Sequence, residues 1–216
     1  MARSKQNRTA APPPSTRERL LDCALTLFTE KGYSATGTQE IIDAAGVTKP
    51  VLYHYFLSKK ALFCEIVSAI YDATAAAWKE VITQETTAVA RLRGIARISF
   101  EGSASDPRLP RILIQTHYGP PVAELREFME IHTARRFQCV VEIVTAGLND
   151  GELRGGDPTS LALLFCCILD QHINVLARLP DPATFLTAER AVALVDAFLH
   201  GCGTGRLSAF DIPKMS

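Results

Sequence analysis

The chain has 216 residues, of which 47% are hydrophobic, and its 23 Lys and Arg residues are balanced by 23 Asp and Glu residues. This length and apolar content are sufficient for a buried core. The longest apolar run, residues 161–169, is far short of the roughly 20 residues that span a bilayer, and the N-terminus has no hydrophobic secretion segment, so we expect a cytoplasmic protein.

The N-terminal part is basic although the whole chain is neutral. Residues 1–60 contain nine Lys or Arg and five Asp or Glu residues. Within this part, residues 1–14 are basic and proline-rich, and they are predicted to form a disordered tail. The excess of cations favours a polyanionic partner at this end, although an ordinary solvated surface has the same composition.

Three short helices are predicted between residues 15 and 62. A capping-box pattern, Ser15 with Glu18, begins the first helix, and glycines end the first and the second. The third begins at Thr48, a natural N-cap, with a proline in its first turn. The second and third helices are joined by the turn AAGVT, in which Gly46 provides the bend, so together they form a helix-turn-helix.

The outer face of the third helix, residues 49–55, is aromatic and basic. Leu52 and Phe56 form its inward stripe, which leaves the lysine, tyrosine and histidine side chains to face outward. Exposed aromatics beside lysines mark a contact surface, and their donors suit DNA phosphates while ring edges suit base edges. We therefore expect this helix to enter the major groove of double-stranded DNA. A helical hairpin that only packs against its neighbours is the alternative.

A long fourth helix is predicted from the cap Ser58 to about residue 82, and every later segment also has helical periodicity. Turns rich in Pro, Gly, Asp and Asn separate these segments. Their predicted spans are 88–103, 108–116, 120–148, 158–178 and 187–200. We predict an all-α protein of about nine helices, in which a DNA-binding domain, residues 15–62, is joined by the long helix to a larger domain, residues 63–216.

The last two predicted helices are strongly apolar. Residues 161–169 read LALLFCCIL, which is apolar nearly all round the helix and indicates burial on more than one side. Two such helices per subunit can build a four-helix interface about a two-fold axis. We therefore expect a homodimer.

Histidines in the apolar middle segments are candidates for lining a ligand cavity, together with nearby apolar residues. The proposed ligand-binding residues are Phe100, His117, Phe128, His132, Leu169 and His172. A lone histidine on such a helix is more often a hydrogen-bonded residue of the core or the dimer interface, and this alternative applies to each of them. No two of them are four residues apart, and the six cysteines have no CxxC spacing, so we expect no metal and no cofactor.

The stretch LFTEKGYSATGTQEIIDAAGVTKPVLYHYFLSKKALF resembles the tetracycline-repressor (TetR) family of bacterial transcriptional regulators. The similarity runs from about Arg17 to Phe63. It rests on a helix ending in Gly-Tyr, on Ile-x-x-Ala-Gly-Val-Thr-Lys, and on Leu-Tyr-x-x-Phe-x-x-Lys before Leu-Phe. The resemblance implies that DNA is contacted by Thr36, Thr48, Lys49, Val51, Tyr53, His54, Tyr55 and Lys59.

Individual roles follow from the same resemblance. Tyr53 and His54 occupy the positions of an exposed aromatic pair that meets bases and backbone, and Lys59 occupies that of a phosphate-binding lysine. Two positions depart from the family pattern. Gly37 replaces a capping Ser or Thr, and Pro50 replaces a frequent Gly at the start of the recognition helix. Such variable positions leave the operator sequence open.

The resemblance implies a ligand-responsive repressor that binds a pseudo-palindromic operator as a dimer and is released by a small, mainly apolar effector. A DNA-binding relative without effector response is one alternative. A small all-helical enzyme is another, but the sequence has no G-x-S-x-G, P-loop or H-E-x-x-H motif to support catalysis. We therefore expect no enzymatic activity.

Overall fold

A computed structural model describes residues 13–119 and 121–201, and all regular elements in this part of the chain are helical. It contains nine α-helices and two one-turn 3-10 helices, which confirms the predicted all-α architecture. The helices are α1 Thr16–Lys31, α2 Thr38–Ala45, α3 Lys49–Tyr55, α4 Lys59–Gln84, α5 Ala88–Ser105, α6 Arg108–Tyr118, η1 Ala123–Leu125, α7 Arg126–Asn149, α8 Pro158–Leu176, η2 Pro182–Thr184 and α9 Ala188–His200. The tail predicted for residues 1–14 lies almost entirely outside the described residues.

Side-chain caps begin several helices where the sequence predicts them. The Ser15 hydroxyl accepts the Glu18 N–H at 3.2 Å, and the Glu18 carboxylate accepts the Ser15 N–H at 2.7 Å. Ser58 accepts the Ala61 N–H at 3.0 Å and thereby begins α4. Thr48 is the N-cap residue of α3, but its side chain makes no capping hydrogen bond.

The start of α7 differs from the predicted span of residues 120–148. The sequence here reads Gly-Pro-Pro, and proline has no N–H to donate and clashes with the preceding helical turn. Helix α6 therefore ends at Tyr118, η1 follows, and α7 begins only at Arg126.

Buried side chains form two clusters. The first belongs to the head, which comprises α1, α2, α3 and the first half of α4, and it includes the fully buried Leu20, Phe28 and Phe63. It also takes in Ile112 from α6 and Leu125 from η1. The second cluster fills the body, which comprises the rest of α4 and helices α5 to α9. The core of the head thus continues into elements of the body.

Polar contacts also join the head to the body. The Arg108 guanidinium donates to Asp22 at 2.7 Å and to Thr26 at 2.8 Å, both on α1. The Tyr33 hydroxyl, in the turn after α1, donates to Glu124 of η1 at 2.8 Å. These contacts fix α6 and η1 against the α1 side of the head.

Helices α4 and α8 are long and apolar enough, by length and composition alone, to cross a membrane. Packed helices of proteins without membrane spans satisfy the same criterion. Both helices here pack against several others, and α8 buries Phe165 and Leu169 in the body core. Their apolar length is therefore weak evidence for a membrane span.

Candidate DNA-binding surface and effector cavities

The turn between α2 and α3 has the geometry of a helix-turn-helix. Gly46 ends α2 in the left-handed region, with φ of 63°, which a residue with a Cβ adopts only with strain. The Val47 N–H then reaches back to the Ile42 carbonyl oxygen at 3.1 Å. Val47 also packs against the head core, so the angle between α2 and α3 is held from both sides.

The outer face of α3 carries the predicted DNA-facing side chains. Leu52 and Phe56 point inward and are 0% and 2% exposed, whereas Tyr53 and Tyr55 are each 40% exposed. Thr48, Lys49 and His54 are also exposed, and Val51 is partly buried at the margin. Six of the eight predicted residues thus lie on one helix and its cap. Lys60, exposed on the first turn of α4, adds a cation that the sequence reasoning did not include.

Lys59 has a structural role within the head. Its ammonium group donates to the carbonyl oxygens of Tyr33 and Thr36, both at 3.0 Å, and lies 4.4 Å from the centre of the Tyr33 ring. An ammonium group has three N–H donors, so one is left for another acceptor. Lys59 therefore fastens the start of α4 to the turn before α2.

Thr36 is only 1% exposed, and this corrects its expected role. Its hydroxyl lies 2.8 Å from the Gly32 carbonyl oxygen and 3.2 Å from that of Leu27 and donates to them. The side chain has no free surface to offer DNA in this conformation. Thr36 was predicted as a DNA contact, whereas its hydroxyl bonds to backbone carbonyl oxygens within the head and supports the turn from inside.

The N-terminus of α2 is capped by a carboxylate. Glu40 accepts the N–H of Gly37 at 2.9 Å and also binds Lys31. The Gly37 N–H and then the Lys31 ammonium lower the pKa of Glu40 below its ordinary value. Glu40 thus supplies the cap that the Gly37 position cannot supply from a side chain.

Two cavities lie in the body. An inner cavity of about 270 Å³ is lined by α4, α5, α6, α7 and α8, with Trp78 and Ile114 in its wall. An outer cavity of about 670 Å³ lies between α6, η1, α7 and α8, with Leu125 and Met129 in its wall. Their walls share three residues, His117, Arg136 and Asp170.

A paired Arg and Asp lie where the two cavities meet. Arg136 on α7 donates to both carboxylate oxygens of Asp170 on α8, at 2.9 and 2.5 Å. The two side chains are only 21% and 18% exposed. The guanidinium also lies over the ring of Trp78, 5.2 Å from its centre. Both charges are therefore satisfied by one forked contact within a mostly apolar environment.

A second set of hydrogen bonds lies beside the Arg136–Asp170 pair and determines which ring nitrogen of His117 carries the proton. The Thr133 hydroxyl donates its one proton to the Met129 carbonyl oxygen at 2.7 Å, so it accepts from His117 Nδ1 at 3.3 Å. Nε2 is then the acceptor for the Tyr71 hydroxyl. Burial, with Arg136 nearby, lowers the pKa of His117, and burial raises the pKa of Tyr71 to about 12. Both groups are neutral at pH 7.

The six predicted ligand-binding residues occupy different places. In the described part of the chain, only His117 among them lines either of these two cavities. His132 stacks on Tyr71, and Phe128 packs edge-on against His132. The other three are Phe100 and Leu169, which are fully buried in the body core, and His172, which is exposed on α8.

The sequence reasoning missed Arg136 as a cavity residue, although a signal was present. Met129, Val140 and Ile143 form the buried stripe of α7, and Arg136 falls on that stripe at helical spacing. A charged residue on a buried stripe requires a partner, which marks it as a candidate for a site. Among the residues that the structure describes, no group of three or more His, Cys, Asp or Glu side chains could hold a metal ion.

The helix-turn-helix with an exposed aromatic and basic second helix, joined to a helical body, defines a helix-turn-helix transcriptional regulator. Residues 20–66 match the family model described as bacterial regulatory proteins, tetR family. The transcriptional repressor KstR2 of Rhodococcus jostii (strain RHA1) is 32% identical over 165 residues, which cover 71% of this chain and 79% of that protein. The chain belongs to the tetR family.

Solved structures share the fold over most of the chain. The regulator PfmR of Thermus thermophilus is 26% identical with a TM-score of 0.73, and the match covers 89% of this chain and 100% of that one. FadR of Bacillus subtilis, solved in complex with stearoyl-CoA, is 20% identical with a TM-score of 0.72, covering 86% and 98%. The relatives named here are transcriptional regulators.

Proposed function

We propose that this regulator is a repressor that binds a pseudo-palindromic operator as a homodimer and leaves it when a small, mainly apolar effector occupies the body. The observation that most directly supports DNA binding is the outer face of α3. Lys49, Tyr53 and His54 are exposed beside each other there, and Leu52 is buried beneath them. A lysine and polar-tipped aromatics offer donors to phosphates and apolar edges to bases. The operator is double-stranded DNA, and the protein acts in the cytoplasm.

The roles within the head divide between base reading and positioning. Lys49 and Tyr53 face outward on α3, with Val51 at the margin of that face, where a recognition helix meets base edges. Thr48, His54 and Tyr55 lie at the ends of α3 and bind the DNA backbone. Lys59, at the start of α4, binds it through its remaining donor. The DNA-binding domain then comprises residues 15–62, and residues 63–216 form the effector-binding and dimerisation domain.

Dimerisation through α8 and α9 is supported by the outward face of α8. Leu164 and Val175 are 46% and 58% exposed there, and Leu163 and Cys167, which also line the outer cavity, are exposed beside them. A row of apolar side chains open to water on one helix is costly for a monomer. A second copy related by a two-fold axis covers the same row on both subunits and places two heads for two half-sites.

Effector binding is supported by the two cavities, which together have the size and apolar lining of small-molecule sites. His117 is the one predicted ligand contact that we retain in their walls. FadR of B. subtilis, which shares the fold, was solved with stearoyl-CoA. Because coenzyme A carries phosphates, that complex supports ligand binding by this fold and not the charge of this chain's effector. An effector must prefer the non-binding arrangement of the two heads, because equal affinity for both arrangements shifts nothing.

The DNA assignment is tested by selecting sites from a random duplex library and measuring binding to the selected site by fluorescence anisotropy. The triple variant Lys49→Ala, Tyr53→Ala and His54→Ala should lose at least about 100-fold in affinity, since three contacts of roughly 1 kcal/mol or more are removed. Lys79→Ala removes the same charge from an exposed position on α4 and serves as the control. A triple variant that binds as tightly as this control would overturn the proposal.

A further inference from the structure

The inner cavity has no net charge to offer a ligand. Its ionisable wall residues, within the part of the chain that the structure describes, include His117, Arg136 and Asp170 beside the neutral Tyr71. Arg136 and Asp170 cancel each other through their forked contact. His117 is neutral because its Nδ1–H donates to Thr133 and its Nε2 accepts from the Tyr71 hydroxyl. The polar end of the cavity is therefore rich in hydrogen-bonding groups but electrically balanced.

The outer cavity has the same balance at its rim. Arg126 and Glu130 both lie in its wall and are both exposed to water. Arg136 and Asp170 belong to the walls of both cavities, so a molecule in either cavity meets the pair together. The charged side chains of each wall are thus balanced in number, one cation for each anion.

We infer that the effector is an uncharged, mainly apolar molecule with a hydrogen-bonding oxygen or nitrogen, and that Asp170 is the residue that excludes carboxylates. The inference rests on the proposed function, since it names the effector class for the same cavities. The apolar part of the molecule lies against Trp78, Ile114 and Ile173, and its polar atom reaches an N–H of Arg136 that Asp170 does not use.

The energetic reason is the cost of burying an anion. A carboxylate that leaves water loses its hydration, and only an uncompensated cation in the cavity repays that loss. Arg136 is already neutralised by Asp170, and the Asp170 carboxylate would repel a second anion at short range. An ester, amide, ketone or alcohol loses far less hydration and recovers it in one or two hydrogen bonds.

The same reasoning makes the selectivity reversible by one substitution. Asp170→Asn keeps the shape of the side chain and removes its charge, so Arg136 becomes a mostly buried cation without an anionic partner. A carboxylate ligand then supplies the missing charge and forms the forked contact itself. The substitution should convert a site for neutral molecules into a site for acids.

Trp78 provides a direct readout of the inner cavity, because it is the single tryptophan of the sequence and lines that cavity beneath Arg136. We would titrate the full-length protein with three matched pairs at pH 7.5, following tryptophan emission and, in parallel, calorimetric heat. The pairs are decanoate with methyl decanoate, 4-cyclohexylbutanoate with its methyl ester, and adamantane-1-carboxylate with its methyl ester, each below its aggregation concentration.

Wild type should bind at least one ester tenfold or more tightly than the matching acid, and Asp170→Asn should reverse that order. Asp72→Asn is the matched control, because Asp72 is an exposed acid on α4, 3.9 Å from Arg135, and lies outside both cavity walls. It should keep the wild-type order. The inference is overturned if wild type binds acids as tightly as esters, or if it binds no member of any pair. It is also overturned if Asp170→Asn keeps the wild-type order.

Folding and function remain separable in this test. The wild-type ratio requires no variant, so the charge of the effector is decided even where Asp170→Asn fails to fold by circular dichroism. Asp170→Ser provides a second uncharged substitution that tests the role of Asp170. Operator anisotropy is measured on the same samples. Ester selectivity without operator binding contradicts the proposed function alone, whereas operator binding with the selectivity absent contradicts this inference alone.

Discussion

Replacing Lys59 with Met removes the charged donor that α4 contributes to the turn between α1 and α2. The ammonium group contacts the carbonyl oxygens of Tyr33 and Thr36 at 3.0 Å and lies over the Tyr33 ring. Methionine retains most of the apolar stem, so the change is confined to the ammonium group. Unfolding of this variant therefore reports the structural role of Lys59, and operator binding by the same variant reports its DNA-binding role.

The expected loss follows from these contacts. A hydrogen bond from a charged donor contributes about 1.5–3 kcal/mol, and a cation–π contact at an exposed site about 0.5–1 kcal/mol. Lys59 is only partly buried, so water reaches the two carbonyl oxygens after the substitution and recovers part of the loss. We expect the free energy of unfolding to fall by about 2 kcal/mol, and Tm to fall by about 4–8 °C for a chain of this length.

Thermal and urea unfolding measure this loss, at one fixed protein concentration because the stability of a dimer depends on it. Lys60→Met is the matched control, since Lys60 is the exposed neighbour on α4 and should leave stability unchanged. Operator titrations at several salt concentrations complete the test, because each lost phosphate contact lowers the salt slope by about 0.9. Equal unfolding midpoints for Lys59→Met and Lys60→Met would refute the structural role.

Two further substitutions probe the head. Tyr33→Phe removes the hydroxyl that donates to Glu124 at 2.8 Å, and the free energy of unfolding measured in urea should fall by about 1 kcal/mol. Tyr53→Phe, on the exposed face of α3, is the control and should leave that free energy unchanged. Glu40→Gln tests the α2 cap through pH. The folded pKa of Glu40 lies below its ordinary 4.5, so its stabilisation is present above that pH and is lost as pH falls through the lower folded value. Wild type should be more stable than Glu40→Gln at about pH 6, and this advantage should shrink below about pH 4. An advantage that stays constant with pH contradicts the cap.

Local patterns were sufficient to predict the helical framework. Caps such as Ser15 and Ser58, and the apolar stripes behind them, depend on residues three or four positions apart, so a reader of the sequence sees both partners at once. The same locality explains why the outer face of α3 was predictable: Leu52 and Phe56 define the inner side, and the remaining positions must face outward. The start of α7 was misplaced because helical periodicity was followed through two consecutive prolines.

The cavity residues were not predictable in the same way. Arg136 and Asp170 are 34 positions apart, and the hydrogen bond between Tyr71 and His117 spans 46. No local period relates such residues, so their pairing depends on how α4, α6, α7 and α8 pack. A histidine in an apolar segment indicates only that a partner is needed, and a phenylalanine there indicates only burial. Phe100 and His117 were therefore both predicted from sequence, although of these two residues only His117 lines either of the two cavities described above.

The position of the cavities explains why occupancy in the body should reach the DNA-binding surface. Leu125 and Met129 belong to the wall of the outer cavity and also to the core of the head. Because a close-packed core does not deform continuously, a molecule that displaces these side chains must shift η1 relative to α1. Tyr33, bound to Glu124 of η1, would move with it, and Lys59 rests on Tyr33 beside the recognition helix. The contact between Lys59 and Tyr33, which holds the start of α4 to the turn after α1, therefore also connects the cavity wall to the DNA-facing end of the molecule.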